Sequence, residues 1–352
     1  MARKNIIKAA VTALSAAGFI ICIFVKSEAC VQGVREGLKL CALTVIPSLF
    51  PFLIVSRFLT ASGLSDALGR LFSKPTRFIF GLSGTCAPVI LMSLIGGFPV
   101  GAKMAAELCD GKRITKSEAQ RLCLFCINAG PAFIIGTVGS LMLSSARAGV
   151  ILYISCIASS LTVGALSRFL SFEKVNKQSE SRVVFISNPA VALTSSVTDA
   201  LNSMLSICAW IVIFNAVVSV ILTSSDGAFA AVLCSVLEVT NGAKLTAKLF
   251  SLPVLAAILC FGGISVHCQI MPYVLKSGLK LRLFFASRVV CAALSALICK
   301  ALLSVFPCET AVFSNYTGIT ASAYSVSLPS AAALIIMCAL LIFEVDTNRK
   351  VC

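Results

Sequence analysis

Eight apolar windows, at 6–25, 31–59, 122–143, 150–170, 197–223, 248–274, 284–306 and 329–343, recur along the chain. At about 20 residues per crossing they read as membrane spans. Hydrocarbon offers no hydrogen-bond partner to a peptide group, so windows of this length have to close their backbone bonds internally, as helices. Composition agrees, with 58% apolar residues, 12% charged residues and a mean hydropathy of +1.00, against about 25% charged residues in a soluble domain. The expectation is an all-α polytopic membrane protein.

The window 6–25 follows Arg3 and Lys4, as in a secretory signal, but its length and the lack of a small-residue cleavage site favour a retained first helix. The formal charge of +15 would suggest nucleic acid in a soluble protein. Here the basic residues fall mostly between spans, where they set orientation, and nucleic acid is not expected as a partner. The 17 cysteines are scattered through apolar windows. Cys123 and Cys126 form the nearest pair and have no second pair beside them, so they read as small buried hydrophobes and no metal or other cofactor is expected. Asn315 opens a glycosylation sequon, which carries meaning only in a eukaryotic secretory context.

Two stretches interrupt the apolar pattern, the first with glycines and a proline, the second with polar residues and a glycine. GGFPVGAK at 96–103 separates PVILMSLI from a charged stretch, and EVTNG at 238–242 separates two arms within 227–250. Arms of about ten residues reach roughly 15 Å, half of a hydrocarbon core, which predicts re-entrant helical hairpins at 88–109 and 227–250. Charge counting supports this. With Lys103 and Lys244 set aside near the tips, eight spans and two hairpins put 21 basic residues inside and 6 outside, with both termini cytoplasmic. Turning both hairpins into full spans gives 14 against 13, which no longer satisfies the positive-inside bias.

VGAKMAAEL at 100–108 matches NGAKLTAKL at 241–249 in five of nine positions. A unit of one span, one hairpin and two spans crosses three times, so a second copy starts on the opposite side. This predicts an inverted repeat, a layout common in secondary transporters. The organisation expected is a first helix in 1–30, a first repeat over 31–170, a basic cytoplasmic linker over 171–187, a second repeat over 188–305, and an external loop with a last helix over 306–352.

The ordered motifs SLFPFLIVS (48–56), GGFPVGAK (96–103), KSEAQRLCLFCINAGPAFIIGTVG (116–139), LEVTNGAK (237–244) and FGGISVHCQ (261–269) resemble the YlbJ family of sporulation integral membrane proteins, which carry a nucleoside-recognition (Gate) domain. The resemblance spans about 31–305. It implies a role in building the spore and a link to movement of dipicolinate, a small aromatic dicarboxylate, across a membrane around the forespore. Phe98 departs from the family pattern, in which a tyrosine is expected at that position.

The candidate substrate site comprises Gly96, Gly97, Pro99, Gly101 and Lys103 at the first tip and Glu238, Thr240, Asn241, Gly242 and Lys244 at the second. Asn128, Gly130 and Pro131 in NAGP, and Gly262, Gly263 and Ser265 in FGGIS, mark breaks in the spans that would face the tips. A helix starting at such a break offers a positive N-terminus to an anion. Lysines near the bilayer midplane are costly, by at least about 2.5 kcal/mol. Lys103 and Lys244 are therefore candidates to clamp two carboxylates, although each is also able to snorkel to an interface. Glu238 is a candidate for coupling protons or sodium, or for pairing with Lys244; His267 reads as a packed or pore-lining residue. No P-loop, HExxH or GxSxG set is present in a suitable context, so enzyme activity is not expected. The leading expectation is a transporter of a small organic anion, dipicolinate first. The alternatives are a nucleoside transporter of the same fold and a non-transporting membrane factor for spore cortex or coat assembly. Self-association is left open.

Overall fold

The computed structural model describes residues 24–170, 189–223 and 227–308. The windows 6–25 (but for its last two residues) and 329–343, the linker 173–182, Asn315 and the polar loop beyond 308 lie outside the described residues.

Every element among the described residues is helical. A first long helix, α1 (Ser27–Ala61), is followed by α2 (Leu64–Leu71), α3 (Ser73–Phe80) and α4 (Gly84–Ile95). Then come α5 (Phe98–Asp110), α6 (Lys116–Phe125), α7 (Ala132–Met142) and α8 (Ala146–Leu166). The second half lays down α9 (Pro189–Leu222), α10 (Ala228–Leu237), α11 (Val239–Leu249), α12 (Leu252–Phe261), α13 (Gly263–Ser277) and α14 (Leu281–Val305). Each half thus runs through a long helix, a pair of short arms, an interrupted helix and a long helix.

Five helical segments are long and apolar enough to cross a membrane, and α3 with α4, bent by 93° at their junction, would make a sixth. Polarity is distributed as lipid demands. Phe78, Leu141 and Phe169 lie at the surface at 82%, 77% and 78% exposure, whereas Lys103, Glu118, Arg121, Asn128, Glu238, His267 and Arg288 are buried. The protein is an integral membrane protein.

The segment 57–77, one of the stretches between windows and hairpins whose basic residues were counted inside, is largely helical, continuing α1 to Ala61 and then forming α2 and the start of α3. In α1 the turn Cys41–Val45 is widened just ahead of Pro47 and Pro51. Each proline lacks an N–H and displaces the carbonyl four residues earlier, and a wide turn absorbs that mismatch without ending the helix.

The window 122–143 is not one continuous span. It ends as α6 at Phe125, unwinds over 126–130 and resumes as α7. Arg288 holds the interruption open. Its guanidinium, fully buried on α14, donates to the carbonyls of Ile127 (2.7 Å) and Leu124, which the unwinding leaves without helical partners. Arg121 acts likewise where α3 ends, donating to the carbonyls of Phe80 and Gly81 and to Ser167 Oγ. Both arginines were counted with the inside basic residues; both are buried caps of broken helices.

Candidate functional site

The two short-arm pairs are helical hairpins. Gly97 turns the chain between α4 and α5 with φ +84°, a left-handed conformation that only glycine adopts at little cost. The arms then pack so closely that a Cβ on Gly101 would lie 2.7 Å from Ser93 Cβ of the opposite arm and 2.1 Å from the Cys126 carbonyl. The second hairpin repeats this arrangement. A Cβ on Gly242 would lie 2.3 Å from Ser235 Cα, and Ser235 Oγ meets Thr246 Oγ1 at 3.0 Å across the arms.

The tips and the breaks converge. Gly130, at the break of α6 and α7, lies against the first tip, where its Cβ would come within 3.3 Å of Gly97 N. Gly262 and Gly263, both at positive φ, interrupt α12 and α13. Gly262 faces the Phe98 ring of the first tip and Gly263 faces Glu238 and Val239 of the second. Between them is a central cavity of about 60 Å³. Gly97, Phe98, Pro99, Gly130, Glu238, Thr240 and Gln269 line it, together with Ser48 on α1 and Ile207 on α9. At about 10–15 Å³ per water it has room for a few water molecules.

The chemistry of the two tips differs. The N-terminus of α5 carries no side-chain cap. The N-terminus of α11 is already occupied, because Glu238 turns its carboxylate back to accept from Thr240 N at 2.9 Å and Asn241 N at 2.7 Å. An N-cap carboxylate is stabilised by the freed N–H groups and by the helix dipole. Glu238 is 2% exposed, and no Lys or Arg pairs with it among the described residues. The expected pairing with Lys244 therefore does not form.

Nor does the lysine clamp. Lys244 is exposed at the protein surface. Lys103 is buried, but its Nζ points away from the tip, donating to Ser203 Oγ at 2.7 Å and lying 3.9 Å from Glu107 Oε1. The reason is helical geometry. Both lysines lie more than a turn beyond their tips, so the face of each arm that carries them is directed elsewhere than the face that closes the cavity.

Of the remaining expected residues, Gly96 and Pro99 shape the first tip, Thr240 lines the cavity, and Gly242 serves the arm contact. Asn128 satisfies freed backbone, donating to the Phe125 carbonyl at 3.2 Å and accepting from Ser160. Pro131 starts α7. Asn241 donates to Asn215 Oδ1 at 2.7 Å, and Ser265 is buried and accepts from Gln269. His267 packs between the rings of Phe261, Phe284 and Phe285. Gln269, Ser48 and Arg288 were absent from the expected set. Gln269 lies two turns past the second break on the cavity-facing side of α13, a spacing signal visible in FGGISVHCQ; nothing local marks Arg288.

No family model matches the chain, and no solved structure matches it. Among curated proteins it is similar to one from Bacillus subtilis (strain 168) described as sporulation integral membrane protein YlbJ. The two are 26% identical over 306 residues, which cover 74% of this chain and 74% of that relative.

Proposed function

Because the chain belongs to the YlbJ family of sporulation integral membrane proteins, we propose that it transports a small organic anion, dipicolinate first, across a membrane surrounding the developing spore. The observation that carries this reading is the meeting of two hairpin tips, one from each half, with two helix breaks around one central cavity. Unwound backbone away from water is tolerated where it lines a solute path, and repeat-built transporters bind at such junctions.

The uncapped N-terminus of α5 offers the positive end. An anion and an ionised Glu238 repel one another in a space this small. Entry of the anion then goes with a proton or sodium ion on Glu238, which makes that carboxylate the coupling group. A cavity of about 60 Å³ is below the about 300 Å³ of common ligand sites, so the tips part to admit solute and close behind it. No chemistry is performed on the solute. Both termini are assigned to the cytoplasm by the charge bias.

One observation favours a second reading, transport of a neutral nucleoside. The cavity lining has a carboxylate, hydroxyls and an amide but no Lys or Arg, a set suited to hydrogen bonding. Uptake of labelled dipicolinate into liposomes containing the full chain, with a nucleoside as competitor, separates the two. Dipicolinate flux insensitive to the nucleoside supports the anion reading, nucleoside flux alone supports the second, and no flux of either overturns both.

A further inference from the structure

Apart from Glu238 in the tip cavity, a second group of charges is gathered beside a wider cleft. Arg57 on α1 directs Nε to Asp199 Oδ2 of α9 at 2.6 Å and Nη1 to Glu107 Oε2 of α5 at 3.5 Å. Lys103, one turn before Glu107, completes the group through Glu107 Oε1 at 3.9 Å and Ser203 Oγ at 2.7 Å. Two cations and two carboxylates from three helices are therefore gathered together, and their charges balance. On the outer side Arg57, Thr60, Glu107, Arg113 and Ser195 line a cleft of about 320 Å³. This is within the about 300–1,000 Å³ that small-molecule sites occupy, and several times the tip cavity.

We propose that this group is a carboxylate-exchange site, at which a small dicarboxylate takes the places on Arg57 and Lys103 that Glu107 and Asp199 hold in this structure. The choice of ligand rests on the transport reading; the geometry does not. Charge count is the first argument. The protein's own two carboxylates satisfy the two cations, and a dicarboxylate offers them the same two negative groups, with Glu107 and Asp199 turning out to the cleft and taking up protons or counter-cations as it enters.

Directionality is the second. A guanidinium binds a carboxylate best through two parallel N–H bonds. Arg57 instead splits its donors, one to each of two acids, so a ligand carboxylate approaching as a fork improves on what it displaces.

Access is the third. The Arg57 and Asp199 side chains are 31% and 41% exposed, whereas Lys103 is 9% exposed. Half-exposed pairs contribute little to stability and are readily exchanged. A ligand meets Arg57 from the cleft and then Lys103, which lies five residues, about 7.5 Å at 1.5 Å per residue, from the start of α5 at the tip. Asp199 belongs to the second half and Glu107 to the first hairpin. Releasing both from Arg57 removes its bridge between that hairpin and α9 and leaves the bonds of Lys103 to Ser203 Oγ and the Asp199 carbonyl, so arrival of the solute loosens the element that must move.

The test is equilibrium binding of pyridine-2,6-dicarboxylate to the purified full chain, with uptake measured in parallel. Glu107→Gln removes an internal competitor and is expected to tighten binding at least five-fold; Asp199→Asn acts in the same direction. Arg57→Gln is expected to weaken it at least ten-fold, with little recovery in Arg57→Lys. A mere structural lock cannot give opposite signs, because losing either partner breaks the same bridge. Shifts in one common direction, or none, overturn the site even if uptake is normal, and the transport reading then stands. Opposite shifts without uptake keep the site and overturn transport. Wild-type protein that neither binds nor moves the dicarboxylate overturns both.

Discussion

Phe98, at the first hairpin tip, lies against Gly262, at the second helix break: a Cβ on Gly262 would meet the Phe98 ring at 3.0 Å. Gly262 also sits at φ +89°. Gly262→Ala therefore combines backbone strain with pressure on the tip. A loss of about 1–3 kcal/mol is expected, seen as a lower melting temperature in detergent, together with reduced uptake. Unchanged melting would mean that the tip and the break are not packed as described.

Glu238 both caps α11 and supplies the acid of the cavity. Glu238→Gln keeps one carbonyl oxygen as acceptor, so a modest cost of about 0.5–2 kcal/mol is expected from the weakened cap. Its larger effect is expected on coupling. Uptake by the wild type should vary with pH or sodium, and uptake by the variant should not. A variant that retains the wild-type dependence would remove Glu238 from the coupling role.

Arg288 is the donor that keeps the α6–α7 break satisfied. Arg288→Met leaves two buried carbonyls without their partner, a cost of about 1–3 kcal/mol for each unsatisfied group. Arg288→Lys is expected to recover little, because one ammonium lacks the fork that reaches both Leu124 and Ile127. Thermal melts of the three proteins check this ordering.

Lys244 is exposed, so Lys244→Gln is expected to leave dicarboxylate affinity within about two-fold and stability within about 0.5 kcal/mol, as for other surface substitutions. A large loss of affinity in a binding assay would reinstate the two-lysine clamp.

The broken elements were legible in the sequence because glycine and proline act locally. GGFP, NAGP and FGGIS end helices wherever they stand, and the charges between windows disfavour full crossings. The partners of the freed groups were not legible. Arg121 and Arg288 count only as inside charges in the sequence, since nothing in the residues around them says that a helix end from elsewhere in the fold abuts them. Lys103 and Lys244 matched in repeat position, but a shared register does not determine which neighbour each arm faces. That is decided by α9, whose Ser203 and Asp199 draw Lys103 away from the tip. The helices over 64–80 were missed because their short, mixed pattern resembles a loop more than a span.

The placement of Arg288 on the last described helix, serving a break in the first half, bears on modularity. A fragment ending before α9 would carry the unwound turn at Leu124–Ile127 but not the side chain that completes it. The first half is therefore not a self-sufficient building block, because the donor that its own interior break uses comes from the second half.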